Sequence, residues 1–304
     1  MLMHDARPTS AFQNWKNALL LMRIPFSIYL MPIFWLAASQ NILFGWERGL
    51  LTFLILHLLV YPGSNGYNSY HDRDTAPVGG LASPPAVNQQ LWYLVILTDV
   101  LALGLSYLLG WLFLSWVLAY ILASKAYSWP SIRLKGDPYL GTAIVVLMQG
   151  AGTYYMVLAG LGVCSCEYGN LYHIGYAVGA SLTLLGNYPL TQVYQHESDA
   201  EHGDQTLSRL LGVIGTFWWA FAFTIIGGGL IALLLYLDFG WKGPVLLMAL
   251  QLPANLHQQR WFAAVRKDLK AANHQNAMRL NQLASLGFSA ALIVLVFAER
   301  WQLW

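Results

Sequence analysis

The chain has 304 residues, of which 57% are hydrophobic, 14% aromatic and only 10% charged, and its mean hydropathy is +0.48. The net charge of +2 gives no reason to expect a nucleic-acid partner. Repeated runs of about 20 mostly apolar residues match the length needed to cross hydrocarbon and argue against a soluble domain. The expected fold class is an all-α polytopic membrane protein, read as one domain over 1–304 because no linker or low-complexity tract interrupts the runs. The start lacks the basic, short-apolar, small-residue pattern of a removable signal peptide.

In chain order, the apolar runs predict nine transmembrane helices at 17–38, 48–67, 91–110, 112–130, 139–161, 170–194, 211–236, 240–257 and 280–301. The third and fourth are nearly continuous, broken by a turn around Gly110. The amino terminus and the loops after even-numbered helices carry Arg7, Lys16, Arg23, Arg73, Lys125, Arg133, Lys135, Arg209, Arg260, Arg266, Lys267, Lys270 and Arg279. The other side carries Arg48, Lys242 and Arg300, a split of 13 against 3 among the 16 basic residues. The positive-inside rule then places the amino terminus in the cytoplasm and the carboxyl terminus outside, as in an integral protein of the cell inner membrane.

Two acidic clusters end otherwise apolar segments. Asn68-Ser69-Tyr70-His71-Asp72-Arg73-Asp74 follows the run Leu50 to Tyr61, and Gln195-His196-Glu197-Ser198-Asp199 follows Tyr176 to Tyr194. A carboxylate at the membrane centre costs roughly 2.5–3.5 kcal/mol on insertion scales, so such groups face a wet cavity or a cation. In each cluster an amide precedes a carboxylate by four residues, Asn68 with Asp72 and Gln195 with Asp199. That spacing places both side chains on one helical face, and duplicated halves around a shared site are the simplest reading. Both clusters fall on the expected cytoplasmic side. Magnesium takes oxygen ligands and binds through a few carboxylates plus substrate phosphates, so Asp72, Asp74, Glu197 and Asp199 are candidate metal ligands, supported by Asn68 and Gln195.

The loop after the fourth helix, Tyr127-Ser128-Trp129-Pro130-Ser131-Ile132-Arg133-Leu134-Lys135-Gly136, adds two cations. Arg133 and Lys135 suit neutralisation of phosphate oxygens and of a departing diphosphate; taken alone they read equally well as topology anchors. Asp99, inside the third helix, is either functional or satisfied by hydroxyl neighbours. His71, His196 and His202 flank the clusters and read as hydrogen-bonding neighbours more than as bases, and His57 as a packed polar residue. Tyr67, Tyr70, Tyr127, Tyr188 and Tyr194 are either cation-stabilising faces or part of an interfacial aromatic belt. Cys164 and Cys166, one residue apart, are expected to be two unpaired thiols. The polar stretch from Arg266 to Asn281 reads either as a lid over the cavity or as topology signalling.

Together these residues resemble the UbiA-type intramembrane aromatic prenyltransferases. Asn68-Ser-Tyr-His-Asp72-Arg-Asp74 is similar to the first motif of that family. Asp199-Ala-Glu-His-Gly203-Asp-Gln-Thr206-Leu207 is similar to its Asp-x-x-x-Gly-x-x-Thr-Leu stretch, Arg23-Ile-Pro25 to its early Arg-x-Pro, and the Tyr127 to Lys135 loop to its Tyr-Ser/Thr-x-Pro…Lys loop. The sequence departs from the pattern at Ala76 and Gln195, where the family has acids, and at Gly80 to Pro85, which lacks the usual arginine. The resemblance implies nine helices bundled around a central cavity and Mg²⁺-dependent ionisation of a polyprenyl diphosphate. The allylic carbon would then be captured by a lipid-soluble acceptor, aromatic or a quinone precursor. It further implies Asp72, Asp199, Arg133 and Lys135 as catalytic residues and Asp72, Asp74, Glu197 and Asp199 as metal ligands. Asn68, Gln195, Arg23, Tyr127, Arg133 and Lys135 become substrate contacts. Terpene cyclisation, non-catalytic binding of an isoprenoid or quinone, and transport are the alternatives.

Overall fold

A computed structural model describes residues 10–303; Arg7, counted above with the amino-terminal cations, lies outside them. The apolar runs fold as helices with conventional ends. Nine long helical segments follow one another among the described residues: α1 Ala11–Ala38, α2 Trp46–Asp72, α3 Gln89–Leu109, α4 Trp111–Ser128, α5 Pro138–Leu161, α6 Leu171–Leu190, α7 Leu207–Phe239, α8 Lys242–Val265 and α9 His274–Arg300. Ser10, Asn88, Asp137, Asn170, Thr206 and Asn273 each accept a backbone N–H at a helix start, the preferred capping chemistry. Gly110, at φ 109°, separates α3 from α4, a backbone angle that favours glycine. The described residues form no strand beyond an isolated bridge between Val78 and Leu81.

Six of the nine, α1, α2, α3, α5, α7 and α9, are long and apolar enough to cross a membrane. The other three are diluted by polar residues, for example Gln251, Asn255, His257, Gln258, Gln259 and Arg260 in α8. Helices α6 and α7 approach closely through glycine. A side chain at Gly227 would meet the backbone nitrogen of Thr183 at 2.7 Å, the small-residue contact that brings membrane helices together. The main core gathers Phe34, Ile55, Tyr61, Phe113, Tyr154, Leu158, Tyr176, Ile231 and Leu292.

The two ends of the bundle differ. At one, Arg48 donates to the carbonyls of Leu109, Ala159 and Gly160, and Arg300 donates to those of Ile42 and Phe44. Cations at helix carboxyl ends satisfy orphan carbonyls and oppose the helix dipole. The connection after α5 lies at this end and pairs Cys164 with Cys166, correcting the expectation of unpaired thiols. A short turn there sets their Cα atoms 5.2 Å apart, within bonding reach.

At the opposite end the structure revises three boundaries. Helix α2 runs to Asp72, so the first acidic cluster is its last turn. Helix α6 stops at Leu190, one residue after Pro189, and the second cluster occupies a separate short helix, His196–Glu201. The polar stretch after α8 packs back on the bundle, with Met278 Sδ accepting from the Gly80 N–H at 3.2 Å. Trp261 Nε1 donates to the Ala271 carbonyl at 2.7 Å, and from His274 onward the stretch is the start of α9.

Candidate active site

Asp72 sits at the carboxyl end of α2 with its side chain only 4% exposed. Asn68, one helical turn earlier, donates to it at 2.6 Å and to Ser128 Oγ at 3.1 Å. Arg23 joins this group from α1, in a left-handed backbone conformation of φ 49°. It donates to the Asn65 carbonyl at 3.0 Å and to Asn68 Oδ1 at 3.2 Å. The first motif and the early arginine therefore meet in one network.

The loop after α4 brings both of its cations to the acids. Lys135 Nζ pairs with Asp72 and stands 3.8 Å from Asp204; Arg133 Nη1 is 3.3 Å from Asp72. Arg133 also donates from Nε and Nη2 to the two oxygens of Asp204, each at 2.8 Å. Lys135 lines the cavity beside the acids, whereas Arg133 does not. Arg133 thus faces the carboxylates of Asp72 and Asp204 and not the cavity.

Asp204 escaped the sequence reading. It lies within the Asp199 to Leu207 stretch, but it stood there as spacing between Gly203 and Thr206. Gly203, at φ 76°, makes the turn that aims the next residue inward, and Arg209 donates to the Asp204 carbonyl. The available signal was an acid in a polar motif opposite two unmatched cations.

On the short helix, Gln195, Ser198, Asp199 and His202 line the cavity, a face spaced i, i+3, i+4 and i+7. Glu197 lies on the other side of that helix, exposed and off the cavity wall, so the expectation that it shares the metal site does not hold. Asp199 accepts from Thr206 Oγ1 at 3.2 Å. Burial pushes its carboxyl up to about 6. Asp74, in the loop after α2, also titrates higher than usual, first through burial and then through Asp72. Burial raises Tyr194 to about 12.

Three of the remaining polar candidates, His196, His202 and Asp99, have partners of their own, whereas His71 Nε2 and His57 Nε2 are buried without one among the described residues. His196 Nε2 lies 2.8 Å from Ser208 Oγ, and His202 Nδ1 2.8 Å from the Ser198 carbonyl. His57 stacks on Phe53 inside α2 with ring centroids 4.0 Å apart. Asp99 is matched by Lys125 of α4 at 2.7 Å, a cation rather than the hydroxyl neighbours expected.

The aspartates of the two motifs, Asp204 and Lys135 surround a cavity of about 220 Å³. Its polar wall holds Asp72, Asp74, Asp199, Asp204, Lys135, Asn68 and Gln195, and its apolar wall includes Phe26, Val78, Ala123, Ile144, Val145 and Met148. An apolar groove of about 490 Å³ between Phe12 and Tyr29 of α1 and the Gly79 to Leu81 loop shares Arg23, Phe26 and Gly79 with it. The donor set fits Mg²⁺: the carboxylates of Asp72, Asp74, Asp199 and Asp204 and the amide oxygens of Asn68 and Gln195 are the oxygen ligands it takes. Among the described residues, no three His, Cys, Asp or Glu side chains converge as a self-sufficient metal cluster. A site of this kind needs substrate oxygens to complete its shell, which is how Mg²⁺ is commonly held.

A family model described as the UbiA prenyltransferase family matches residues 28–283. A UbiA homolog from Archaeoglobus fulgidus, solved bound to GPP and Mg²⁺, superposes with a TM-score of 0.65 at 15% identity, covering 92% of this chain and 99% of its own. A structure of digeranylgeranylglyceryl phosphate synthase gives a TM-score of 0.55 at 17% identity, again over 92% and 99%. An apo UbiA homolog from Aeropyrum pernix K1 gives 0.61 at 17% identity over 90% and 98%. At these identities the likeness is one of fold. No curated protein sequence matches the chain.

Proposed function

The chain belongs to the UbiA prenyltransferase family, and on that premise we propose that it transfers a polyprenyl group from a polyprenyl diphosphate to a lipid-soluble acceptor. The observation that carries this reading is the meeting of Asp72, Asp74, Asp199, Asp204 and Lys135 around one cavity at one end of an apolar bundle. We read residues 1–304 as one domain of an inner-membrane protein. The amino terminus and this cavity face the cytoplasm and the carboxyl terminus faces outward; labelling of single cysteines introduced into the loops tests that orientation.

Lys135 supplies the cation nearest the diphosphate, and Arg133 keeps Asp72 and Asp204 in place behind it. Asp72, Asp74 and Asp199, with Asn68 and Gln195, would hold Mg²⁺. Bound there, the metal would neutralise charge building on the leaving diphosphate. Arg23 and Tyr127 line the same cavity and complete the substrate contacts. The apolar wall shields the allylic end from water, and the faces of Tyr120 and Tyr194 suit a neighbouring positive carbon.

The test is release of diphosphate from geranyl, farnesyl and geranylgeranyl diphosphate by the purified protein, with and without Mg²⁺. Mg²⁺-dependent release supports the reading. No release at any chain length sinks it in favour of a lipid-binding role, and release that ignores added acceptor points to cyclisation or hydrolysis.

A further inference from the structure

Three neutral side chains in the cavity wall form a hydrogen-bonded chain, and two of them, Tyr188 and Gln192, have no part in the diphosphate reading. Tyr127 and Tyr188 bring their hydroxyl oxygens within 2.6 Å, and Gln192 Nε2 donates to the Tyr188 hydroxyl at 3.0 Å. All three line the cavity. Gln192 is 7% exposed, yet its Oε1 has no hydrogen-bond partner. A buried amide oxygen left unmet is destabilising, so it persists where water or a ligand meets it. Turning the amide over does not remove the requirement. Oε1 would then accept from Tyr188, and Nε2 would be the atom left over. A hydroxyl, which both donates and accepts, satisfies either orientation.

We propose that Gln192, held in place by Tyr188 and Tyr127, is the subsite for a hydroxyl on the acceptor, which makes the acceptor a phenol or an alcohol. This inference rests on the prenyl-transfer reading above. The location suits the role. Tyr188 and Gln192 are four residues apart where α6 gives way to the turn, and Asp199 follows on the short helix of the same wall. The subsite carries no charge, so it holds a neutral hydroxyl without drawing the diphosphate or its metal away from Lys135 and the acids.

The experiment measures binding of two matched probe pairs to the full chain in detergent: 4-hexylphenol against 4-hexylanisole, and 1-dodecanol against dodecyl methyl ether. The hydroxyl member of at least one pair is expected to bind about tenfold tighter, the factor that corresponds to about 1.4 kcal/mol. Gln192→Met should abolish that preference and Tyr188→Phe should weaken it, while Gln192→Asn, which keeps an amide, should retain part of it. Thermal unfolding midpoints identify any variant that fails to fold, and the remaining variants then carry the test. Equal binding of hydroxyl and ether in both pairs overturns the proposal, as does an undiminished preference in the folded Gln192→Met protein. Loss of the prenyl-transfer reading looks different: the hydroxyl preference and its dependence on Gln192 remain, but no prenyl diphosphate is cleaved.

Discussion

Arg133 grips Asp204 through two parallel hydrogen bonds, Nε to Oδ1 and Nη2 to Oδ2, each 2.8 Å long. This fork-to-fork geometry is the strong form of an ion pair. Both acids on which the loop cations converge are shielded, with side-chain exposures of 4% for Asp72 and 6% for Asp204. Each cation of the α4 loop therefore meets an acid, and on the proposed function a metal–diphosphate pair would exchange partners there rather than bring new charge into a dry space.

The first prediction follows from that pairing. Removing one partner of a buried ion pair costs about 3–5 kcal/mol, and the partial exposure of Arg133 reduces this to about 2 kcal/mol for Asp204→Asn. The double variant Asp204→Asn/Arg133→Met, which leaves no unmatched charge, is expected to recover at least half of the loss. Denaturant unfolding in detergent measures each corner of this double-mutant cycle. A neutral Asp204→Asn variant would show that Asp204 does not anchor the loop.

Much of this arrangement was legible in the sequence because it rests on local patterns. The apolar runs located the helices, and the spacing of Asn68 and Asp72 put them on one face, where they are hydrogen-bonded at 2.6 Å. What was hidden depends on distance or on helical phase. Asp204 meets Arg133 across 71 positions, and Asp99 meets Lys125 between two helices whose packing no local pattern encodes. Glu197 sat in the right cluster, but which face it occupies is set by where the short helix begins, and an unbroken sixth helix to 194 concealed that start. Helix α2 was cut short at 67 because Ser64, Asn65 and Asn68 lower its hydropathy. Arg23 holds the Asn65 carbonyl and Asn68 there, and all three line the cavity.

Asp199 gives a pH prediction. Burial raises its carboxyl to about 6, above the usual value near 4 of an unfolded chain. The folded protein therefore holds this proton more tightly than the unfolded one, and ionisation opposes folding. That penalty is absent below about pH 4, grows toward pH 6 and is fully present above it. In the metal-free protein, Asp199→Asn is expected to be more stable than wild type at pH 7.5, with the difference disappearing as pH falls to about 4. If Asp199 is a ligand, millimolar Mg²⁺ raises the unfolding midpoint of the wild type at pH 7.5 more than that of the variant. Equal midpoints at both pH values would remove Asp199 from the set of strained acids.

The Asp99–Lys125 pair tests whether an intramembrane ion pair acts in the chemistry. Lys125 also lies 4.2 Å from the centroid of the Tyr67 ring, so its charge is satisfied without substrate, and neither charged residue lines the cavity. Asp99→Asn is expected to destabilise by about 2 kcal/mol and Asp99→Asn/Lys125→Met by much less, because the pair's value is mainly that neither charge is left alone. Affinity for inorganic diphosphate with Mg²⁺ should stay within about twofold in the double variant, under about 0.4 kcal/mol. A larger loss would draw this pair into the site.

Gly79 links the loop after the first acidic motif to Arg23. A Cβ at this position would lie 2.7 Å from Arg23 Nη1 and 3.2 Å from the Phe26 ring. Neither neighbour yields freely: Arg23 is tied to Asn65 and Asn68, and its side chain is buried. Gly79 has no left-handed backbone angle to lose, so Gly79→Ala acts through the guanidinium and not through strain in the loop. It is expected to displace Arg23 from Asn68 and release the turn that carries Asp72. Overall stability should fall by about 1 kcal/mol, the worth of a net hydrogen bond. Affinity for geranyl diphosphate should fall about tenfold, and Arg23→Lys should produce a similar loss. Combining Gly79→Ala with Arg23→Lys should add little, since both act on the same contact. Additive losses in the two variants would place Gly79 and Arg23 in separate roles.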